Sequence, residues 1–372
     1  MTTETIWDNH IWDALPPLET DTTCDLCVIG LGGSGLAAIL EALPAGAAII
    51  GIDAVGVGAG AAGRNGGFML AGLAHFYHEV VAQYGRLVAA KMYGATLEEI
   101  EYLHALTPDM IRLTGSLRIA MSPNELEDCA LQKLALKADG FLVQSYEGAE
   151  GSGLLFPTDG TTNPLARVRA LAQLAIAQGA RLFEATRALQ IQTNLVRGQH
   201  FCIRAKKIIV AVDGKLEQIF PQLAPKVRTA RLQMLGTAPT ALRFTRPIYA
   251  RFGYEYWQQL PNGCIALGGL RDYFEQQEWT SQDSPTDNLQ TQLEHFLRET
   301  LGINADITHR WAASVSYSNQ LLPVLQEVSA GVWALGGYSG TGNVVGSIFG
   351  RLAAQLALGK KSALESVFLR AS

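Results

Sequence analysis

Apolar runs and glycine-rich turns alternate in a regular order at the start of the chain. Residues 24–30, CDLCVIG, form a short apolar run that predicts a buried strand. The glycine-rich turn GLGGSG follows, and a helical spacing of apolar positions continues to about Leu43. A second apolar run from Ala47 to Asp53 predicts another strand. The order of strand, turn, helix and strand predicts a Rossmann-like unit.

The middle of the chain carries three helical patterns. Residues 76–106 have the spacing of one long helix. Residues 122–125, SPNE, form a capping box with proline at the first helical position, which predicts the start of a second helix. A third helix is predicted over residues 163–179, from an Asn-Pro pair to a terminal glycine.

Strand patterns dominate the rest. Residues 181–212 predict strands with a turn at Arg197-Gly198, and residues 247–270 predict a hairpin with its turn at residues 261–263, PNG. The chain ends with the apolar run GVWALGG, a glycine-rich turn and a helix predicted over Val344–Leu358. A glycine-rich strand–turn–helix therefore lies at each end, and we expect both to meet around one ligand.

Composition and charge narrow the class of protein. The 372 residues are 48% hydrophobic and 17% charged, which is enough for two domains with a sizeable core. The net charge is −5 and no run of Lys or Arg occurs, so we expect no nucleic-acid partner. The apolar stretches are too short for a membrane span, and the start of the chain lacks a secretory signal, so a cytoplasmic location is predicted. Five cysteines form no disulfide or zinc pattern, and no metal site is expected.

The first glycine cluster has the spacing of a dinucleotide-binding fingerprint. Gly30 makes the tight turn, Gly32 lets a pyrophosphate approach the backbone, and Gly35 lets the helix pack closely on the strand. The N-terminus of the helix offers N–H groups and a positive dipole end to the phosphates. Asp53, at the end of the next strand, is positioned to accept hydrogen bonds from a ribose.

Two further glycine clusters favour FAD over a nicotinamide dinucleotide. Residues 56–67, GVGAGAAGRNGG, suit a backbone that passes close to the extended pyrophosphate and ribityl chain, with Arg64 and Asn65 as polar contacts. A long surface loop is the alternative. Residues 336–343, GGYSGTGN, precede the last helix, whose N-terminus would stabilise the negative charge of reduced flavin.

Six stretches in order along the chain resemble the FAD-dependent amine and amino-acid oxidoreductases, a family that includes D-amino acid oxidase, glycine oxidase and sarcosine oxidase. The gamma-glutamylputrescine oxidoreductase branch is the most similar. The stretches are CDLCVIGLGGSGLAA, GAGAAGRNGGFMLAG, FPTDGTTNPLARVRALAQLA, YEYWQQLPNGCIALGGLRD, ITHRWAASVSYSNQLLPVL and GGYSGTGNVVGSIFGRLAAQL.

The resemblance implies a set of FAD contacts in the three glycine clusters. The family usually has Glu where this chain has Asp53, and the shorter carboxylate still suits ribose binding. No cysteine lies near the closing cluster, so non-covalent FAD is expected. The predicted cofactor-binding residues are Gly30, Gly32, Gly33, Ser34, Gly35, Asp53, Arg64, Asn65, Gly66, Gly67, Gly337, Tyr338, Ser339, Gly340, Thr341 and Gly342.

Candidates on the substrate side come from the predicted hairpin. Alternation along the strand places Tyr254 and Tyr256 on one face and Trp257 on the other. Two tyrosines beside a flavin would form an aromatic wall and bond an amine, although plain core packing would explain them as well. Arg271 is a candidate carboxylate anchor, with a surface arginine as the alternative. These three residues, Tyr254, Tyr256 and Arg271, are the predicted catalytic set.

The family's usual carboxylate anchors are absent from the matching positions. Glycine oxidase-like members place an arginine where this chain has Val315, and sarcosine oxidases place a lysine where it has Val344. The resemblance therefore implies a small amine substrate instead of a simple α-amino acid.

The predicted fold is α/β, with a Rossmann-like FAD-binding domain and a discontinuous mixed-sheet substrate domain. Residues 1–75, 155–213 and 320–372 are assigned to the FAD domain, and residues 76–154 and 214–319 to the substrate domain. The predicted reaction is oxidation of a C–N bond by hydride transfer to flavin N5 and hydrolysis of the imine, with oxygen or another acceptor re-oxidising the flavin. The alternatives are a glycine, D-amino-acid or sarcosine oxidase, a non-catalytic flavin-binding subunit, and a nicotinamide dehydrogenase.

Overall fold

The computed structural model describes residues 4–8 and 11–369, which divide into two compact units. Unit A comprises His10–Gly63, Leu165–Thr229 and Val315–Ser372. Unit B comprises Met1–Asn9, Arg64–Pro164 and Ala230–Ser314. The units divide the chain at other residues than the sequence-based domain assignment, which stays a prediction.

The structure is rich in short strands. In chain order they are β1 Thr22–Ile29, β2 Ile49–Ile52, β3 Phe68–Met69, β4 Ile111–Arg112, β5 Ser116–Ile119, β6 Gln144–Gly148, β7 Gly151–Phe156, β8 Gly160–Thr162, β9 Arg181–Phe183, β10 Gln190–Gln192, β11 Leu195–Arg197, β12 Cys202–Val210, β13 Val227–Thr237, β14 Ile248–Ala250, β15 Glu255–Gln259, β16 Ile265–Gly269, β17 Ile307–Ser318, β18 Val324–Ser329 and β19 Val332–Gly336. The α-helices are α1 Gly33–Ala42, α2 Ala61–Arg64, α3 Tyr77–Tyr84, α4 Arg86–Leu106, α5 Pro123–Ala138, α6 Pro164–Ala177, α7 Leu216–Ile219, α8 Glu275–Glu278, α9 Asp287–His295, α10 Val345–Ala357 and α11 Ala363–Phe368.

Unit A is built on a mostly parallel sheet of the order β10-β11-β12-β1-β2-β9, in which β19 also pairs with β12 and with β18. The strands β1, β2, β9, β12 and β19 pair with one another in parallel, whereas β11 and β18 are antiparallel to their neighbours β12 and β19. Such strands are buried on both faces, which explains the continuous apolar runs of β1 and β2. The predicted strand–turn–helix–strand order at the start of the chain is confirmed as β1, α1 and β2.

Unit B contains most of a second sheet, with the strand order β17-β13-β16-β15-β14-β5-β7-β6. One face of this sheet packs into an apolar core with the leucines of α9. Leu117, Ile248, Trp257 and Leu267 point into this core from four neighbouring strands. Alternation therefore places Arg118, Tyr249 and Tyr256 on the opposite face of the sheet.

Two local predictions need correction. Residues 76–106 form two helices instead of one, because Gly85 between α3 and α4 takes a φ of 80°, which ends the first helix. The segment predicted as one hairpin holds three strands, since positive φ values at Arg251 and Phe252 turn the chain between β14 and β15. The helix starts predicted near residues 122 and 163 are confirmed, as is the hairpin turn at 261–263.

Among the residues that the structure describes, no helix is both long enough and apolar enough to cross a membrane.

Candidate active site

The first glycine cluster forms a cradle that a side chain would fill. Gly30 has a φ of 103°, and a Cβ there would lie 2.6 Å from the carbonyl oxygen of Ala211. A Cβ on Gly35 would lie 1.9 Å from the carbonyl oxygen of Gly30. The close approach of α1 to the end of β1 therefore requires glycine at both positions. This is the arrangement that brings a helix N-terminus to the carboxyl end of a parallel strand.

The N-terminus of α1 is open for a phosphate group. Its N-cap residue, Gly32, is extended and has no side chain to bond the first N–H groups of the helix. The next residue, Gly33, leaves room for a Cβ, since the nearest atom is Nη2 of Arg167 at 3.8 Å. Uncapped N–H groups and the positive end of a ten-residue helix suit the pyrophosphate of a dinucleotide. The residues present therefore fit FAD.

Asp53 organises the loop around this cradle. Its Oδ2 accepts a 2.9 Å hydrogen bond from the Leu31 N–H, and its Oδ1 accepts bonds of 2.9 and 3.0 Å from the N–H groups of Val55 and Gly56. Burial raises the pKa of the carboxyl, while these backbone bonds lower it. A carboxylate has about four acceptor positions, so one is left for a ribose hydroxyl. The sequence predicted the ribose contact but not the loop-holding role.

Glu184, directly after β9, is a buried carboxylate that the sequence analysis missed. Its Oε1 accepts bonds of 2.6 Å from the Val57 N–H and 3.1 Å from the Trp12 indole, and its Oε2 accepts a 2.6 Å bond from the Leu15 N–H. β9 pairs with β2, so Glu184 follows the strand beside the one that Asp53 follows. It fixes the segment before β1 to the turn after Asp53.

The third glycine cluster is held by Asp213, a residue that the sequence analysis did not identify. Asp213 Oδ1 accepts a 2.8 Å bond from the Gly337 N–H, and its Oδ2 accepts a 3.2 Å bond from the Ser316 N–H. Burial raises the pKa of this carboxyl to about 6. The loop then turns through positive φ values at Ser339 and Gly340 before α10 begins.

The first and third clusters come together within unit A, as their positions at the two ends of the chain suggested. A Cβ on Gly350 in α10 would lie 2.1 Å from the carbonyl oxygen of Ser34 in α1. Arg167 of α6 is only 1% exposed and donates a 3.1 Å bond to Asn343 Oδ1. The predicted cofactor residues found in unit A are Gly30, Gly32, Gly33, Ser34, Gly35, Asp53, Gly337, Tyr338, Ser339, Gly340, Thr341 and Gly342.

The remaining predicted cofactor residues, Arg64 to Gly67, belong to unit B. Arg64 Nε donates a 2.9 Å bond to the Ala312 carbonyl, and the Arg64 carbonyl accepts a 2.8 Å bond from the Trp311 indole. Asn65 Oδ1 accepts a 2.8 Å bond from the Gly67 N–H. These bonds fix the turn to β17 of the same unit, so the side chains that were predicted to contact the ribityl chain also shape their own loop.

The predicted catalytic residues occupy two places in unit B. Tyr256 lies in β15, its ring 6.2 Å from that of Phe68, and its Cδ2 is 3.1 Å from the Cβ position of Gly66. Tyr254 precedes the strand and has a helical backbone conformation. Strand alternation therefore does not place it on the same face as Tyr256, contrary to the sequence-based prediction. The guanidinium of Arg271 lies 5.4 Å from the Tyr254 ring centroid.

Two residues on the Tyr256 face were missed by the sequence analysis. Tyr249 of β14 pairs with Tyr256 on one side and with Arg118 of β5 on the other. Both Arg118 and Tyr249 are buried, with 8% and 9% of their surface exposed. β5 was not predicted as a strand, and β14 was predicted only as the beginning of a longer hairpin strand, so the face that Arg118 and Tyr249 share was not identified.

Comparison with known proteins shows the family to which the chain belongs. The family model described as DAO, FAD dependent oxidoreductase, matches residues 25–356. A probable oxidoreductase OrdL of Rhizobium meliloti (strain 1021) is 28% identical over 94% of this chain and 86% of its own length. The gamma-glutamylputrescine oxidoreductase of Escherichia coli (strain K12) is 24% identical over 92% of this chain and 85% of its own length.

Solved structures show the same fold. The glycine oxidase of Geobacillus kaustophilus has a TM-score of 0.74 at 16% identity, covering 92% of this chain and 96% of its own. The L-proline dehydrogenase of P. horikoshii also has a TM-score of 0.74, at 18% identity, covering 94% and 97%. With the glycine cradle, the uncapped helix and a family match over nearly its whole length, the chain belongs to the DAO family of FAD-dependent oxidoreductases, which act on amines or amino acids.

Proposed function

We propose that this enzyme oxidises the C–N bond of an amine and releases an imine that water hydrolyses to a carbonyl compound. The glycine cradle of unit A would hold FAD without a covalent bond. When bound, FAD supplies the hydride acceptor at its N5 atom. A cytoplasmic location and the identity of the electron acceptor stay predictions.

The observation that carries the proposal is the position of Tyr256. Its ring lies against the backbone of Gly66, in the glycine cluster predicted to line the flavin, and Phe68 and Tyr249 extend the aromatic surface. Aromatic faces attract an ammonium group, and a tyrosine hydroxyl can hydrogen-bond an amine nitrogen. These residues would bind and orient the amine, exclude water, and hold it for hydride loss once it is deprotonated.

An amine is favoured over a simple α-amino acid for a second reason. Val315 and Val344, at the positions that the family resemblance assigns to a carboxylate anchor, are both buried apolar residues. The name of the Escherichia coli relative, gamma-glutamylputrescine oxidoreductase, supports the same choice. A glycine, D-amino-acid or sarcosine oxidase is the nearest rival. A flavin-binding subunit without catalysis would share the cradle but would need no aromatic substrate face.

The test is anaerobic reduction of the bound flavin, followed by its absorbance. We expect alkylamines and acylated diamines to bleach the flavin and glycine or D-alanine to leave it oxidised. Tyr256→Phe should lower the second-order rate of reduction by about tenfold, the effect of one hydrogen bond. Tyr273→Phe, at an exposed tyrosine of the same unit, is the control. Bleaching by glycine alone would establish the rival oxidase, and no bleaching by any substrate would favour the non-catalytic subunit.

A further inference from the structure

The sheet face that carries Tyr256 also carries a buried cation, Arg118, to which the proposed reaction assigns no role. Arg118 of β5 is 8% exposed and pairs in register with Tyr249, which pairs in turn with Tyr256. The three side chains form one row across neighbouring strands on the same face. At the other end of the row, the Tyr256 ring contacts the backbone position of Gly66.

Arg118 has few partners for a charged group at this depth. Its guanidinium carbon lies 4.0 Å from the Phe76 ring centroid and 4.9 Å from that of Tyr249. Its Nη1 donates a 2.8 Å bond to Gln132 Oε1, and the guanidinium also donates to the Tyr249 hydroxyl. Its Nε is buried without a hydrogen-bond acceptor, and no carboxylate oxygen of the described residues lies within 4.0 Å of the guanidinium.

Two other arginines of unit B, Arg231 and Arg251, are paired with carboxylates. The Arg231 guanidinium contacts Glu278 at 2.8 Å, and that of Arg251 contacts both Glu255 and Asp272 at 2.6 Å. A buried charge that lacks such a partner destabilises the folded state, because its hydration is lost without a compensating ion pair. Arg118 therefore differs from Arg231 and Arg251, because no carboxylate of the described residues is in contact with its guanidinium.

Asp159 influences Arg118 electrostatically without neutralising it at contact. The Asp159 carboxyl accepts a 2.6 Å bond from the Ser116 hydroxyl and a 2.9 Å bond from the Ala71 N–H. Burial raises the pKa of this carboxyl to about 7, so near neutral pH part of the population carries no negative charge. The hydroxyl of Tyr93, also buried in this cluster, has no hydrogen-bond partner among the described residues.

We propose that Arg118 binds a carboxylate or similar anionic group of the amine substrate. The proposal rests on the proposed function and names the class of amine. Two strand spacings separate Arg118 from Tyr256, which is about 10 Å. An extended chain of roughly eight bonds spans that distance. The substrate class is therefore a long amine with an anionic group at its far end. An α-amino acid cannot reach, because its carboxylate sits on the carbon that is oxidised.

The first experiment compares two substrates that differ only in the anionic group, octylamine and 8-aminooctanoate. We expect the wild-type enzyme to favour 8-aminooctanoate in kcat/KM by at least about tenfold, the effect of a charge-assisted hydrogen bond. Arg118→Met should bring this ratio close to one, and Arg118→Lys, which keeps the charge but loses the planar fork, should give an intermediate ratio. Arg298→Met removes an arginine paired with Glu294 on α9, and it should keep the wild-type ratio.

A second experiment needs no turnover. Octanoate is titrated into the oxidised holoenzyme, and binding is followed by the flavin absorbance change and the rise in Tm. Wild type and Arg298→Met should respond alike, Arg118→Lys should respond more weakly, and Arg118→Met should not respond. If Arg118→Met fails to retain FAD, the comparison of Arg118→Lys with wild type decides.

The two proposals can fail separately. If octanoate binds to wild type and to the Arg118 variants equally, or if the substrate ratio is unchanged by them, the anion site is overturned whatever the flavin chemistry. If octanoate binding depends on Arg118 but no amine reduces the flavin, the anion site stands and the proposed oxidation fails. If glycine reduced the flavin faster than the long amines, the substrate class inferred from the separation of about 10 Å between Arg118 and Tyr256 would be wrong.

Discussion

The Nη2 atom of Arg167 donates a 3.1 Å hydrogen bond to Oδ1 of Asn343. The bond joins α6 to the glycine-rich loop before α10, and Nη2 also lies 3.8 Å from the Cβ position of Gly33. One buried arginine thus contacts the regions of the first and the last glycine clusters, which are separated by almost the whole chain.

Asn343→Ala removes the acceptor from this buried arginine. We expect a loss of about 1–3 kcal/mol of unfolding free energy, the cost of leaving a buried charged donor short of one bond, together with weaker FAD binding. Urea unfolding and the quenching of flavin fluorescence measure the two effects. Asn288→Ala, which removes an exposed 3.2 Å bond to Gln277, is the control and should change stability by less than about 0.5 kcal/mol. Equal effects of both variants would contradict the bridging role.

Gly35→Ala adds a Cβ that would lie only 1.9 Å from the carbonyl oxygen of Gly30. Because neither backbone can yield without separating α1 from β1, we expect a fall in FAD content and a loss of stability of at least about 1–3 kcal/mol, as for overpacking. The ratio of flavin to protein absorbance after purification measures the first effect. Gly94→Ala in α4, where no atom lies within 4 Å of the added Cβ, should instead gain up to about 1 kcal/mol. A fully loaded Gly35→Ala enzyme would refute the cradle geometry.

Asp159→Asn should change how stability depends on pH. The pKa of Asp159 is raised by burial from 3.8 to about 7, so between these values the folded state binds more protons than the unfolded state. The contribution of Asp159 to the free energy of unfolding is therefore fully present below about pH 4 and is lost as the pH rises towards 7. Wild type should lose stability relative to Asp159→Asn across this window, measured by urea unfolding at each pH.

Ser116→Ala sharpens this test. The Ser116 hydroxyl donates to the Asp159 carboxyl and lowers its pKa, so its removal should raise the pKa and extend the loss to higher pH. A stability difference between wild type and Asp159→Asn that does not vary with pH would show that Asp159 titrates normally.

Glu184→Gln should release the segment before β1. The new amide group would face N–H donors of Val57, Trp12 and Leu15 that now point at the carboxylate. We expect a loss of about 1–3 kcal/mol and faster proteolysis between residues 11 and 21. Trp12→Phe, which keeps the ring but removes the N–H, should give part of the effect. Trp279→Phe removes an exposed indole bond to Glu275 and is the control. Proteolysis at the wild-type rate in Glu184→Gln would contradict the role of this carboxylate.

Much of unit A was predictable from the sequence because its signals are local. A parallel strand buried on both faces reads as a continuous apolar run, and β1 and β2 show it. The glycine spacing of residues 30–35 is dictated by the approach of one backbone to another, so it is visible without knowing the rest of the fold. The helix starts near residues 122 and 163 were predicted from capping patterns, which involve only residues that are neighbours in the sequence.

The tertiary structure decided which distant residues act together. Asp213, Glu184 and Arg167 have no sequence signature, because their partners lie far along the chain: Asp213 bonds Gly337, and Glu184 bonds Trp12. The row of Arg118, Tyr249 and Tyr256 required the strand order β5-β14-β15 and its register. A strand of three or four residues shows too little alternation to reveal which face it buries. The sequence by itself determined the cofactor class and the first cradle, because phosphate binding needs a fixed local backbone. Pairing between distant strands, which local spacing does not encode, placed a buried cation on the face that carries Tyr256.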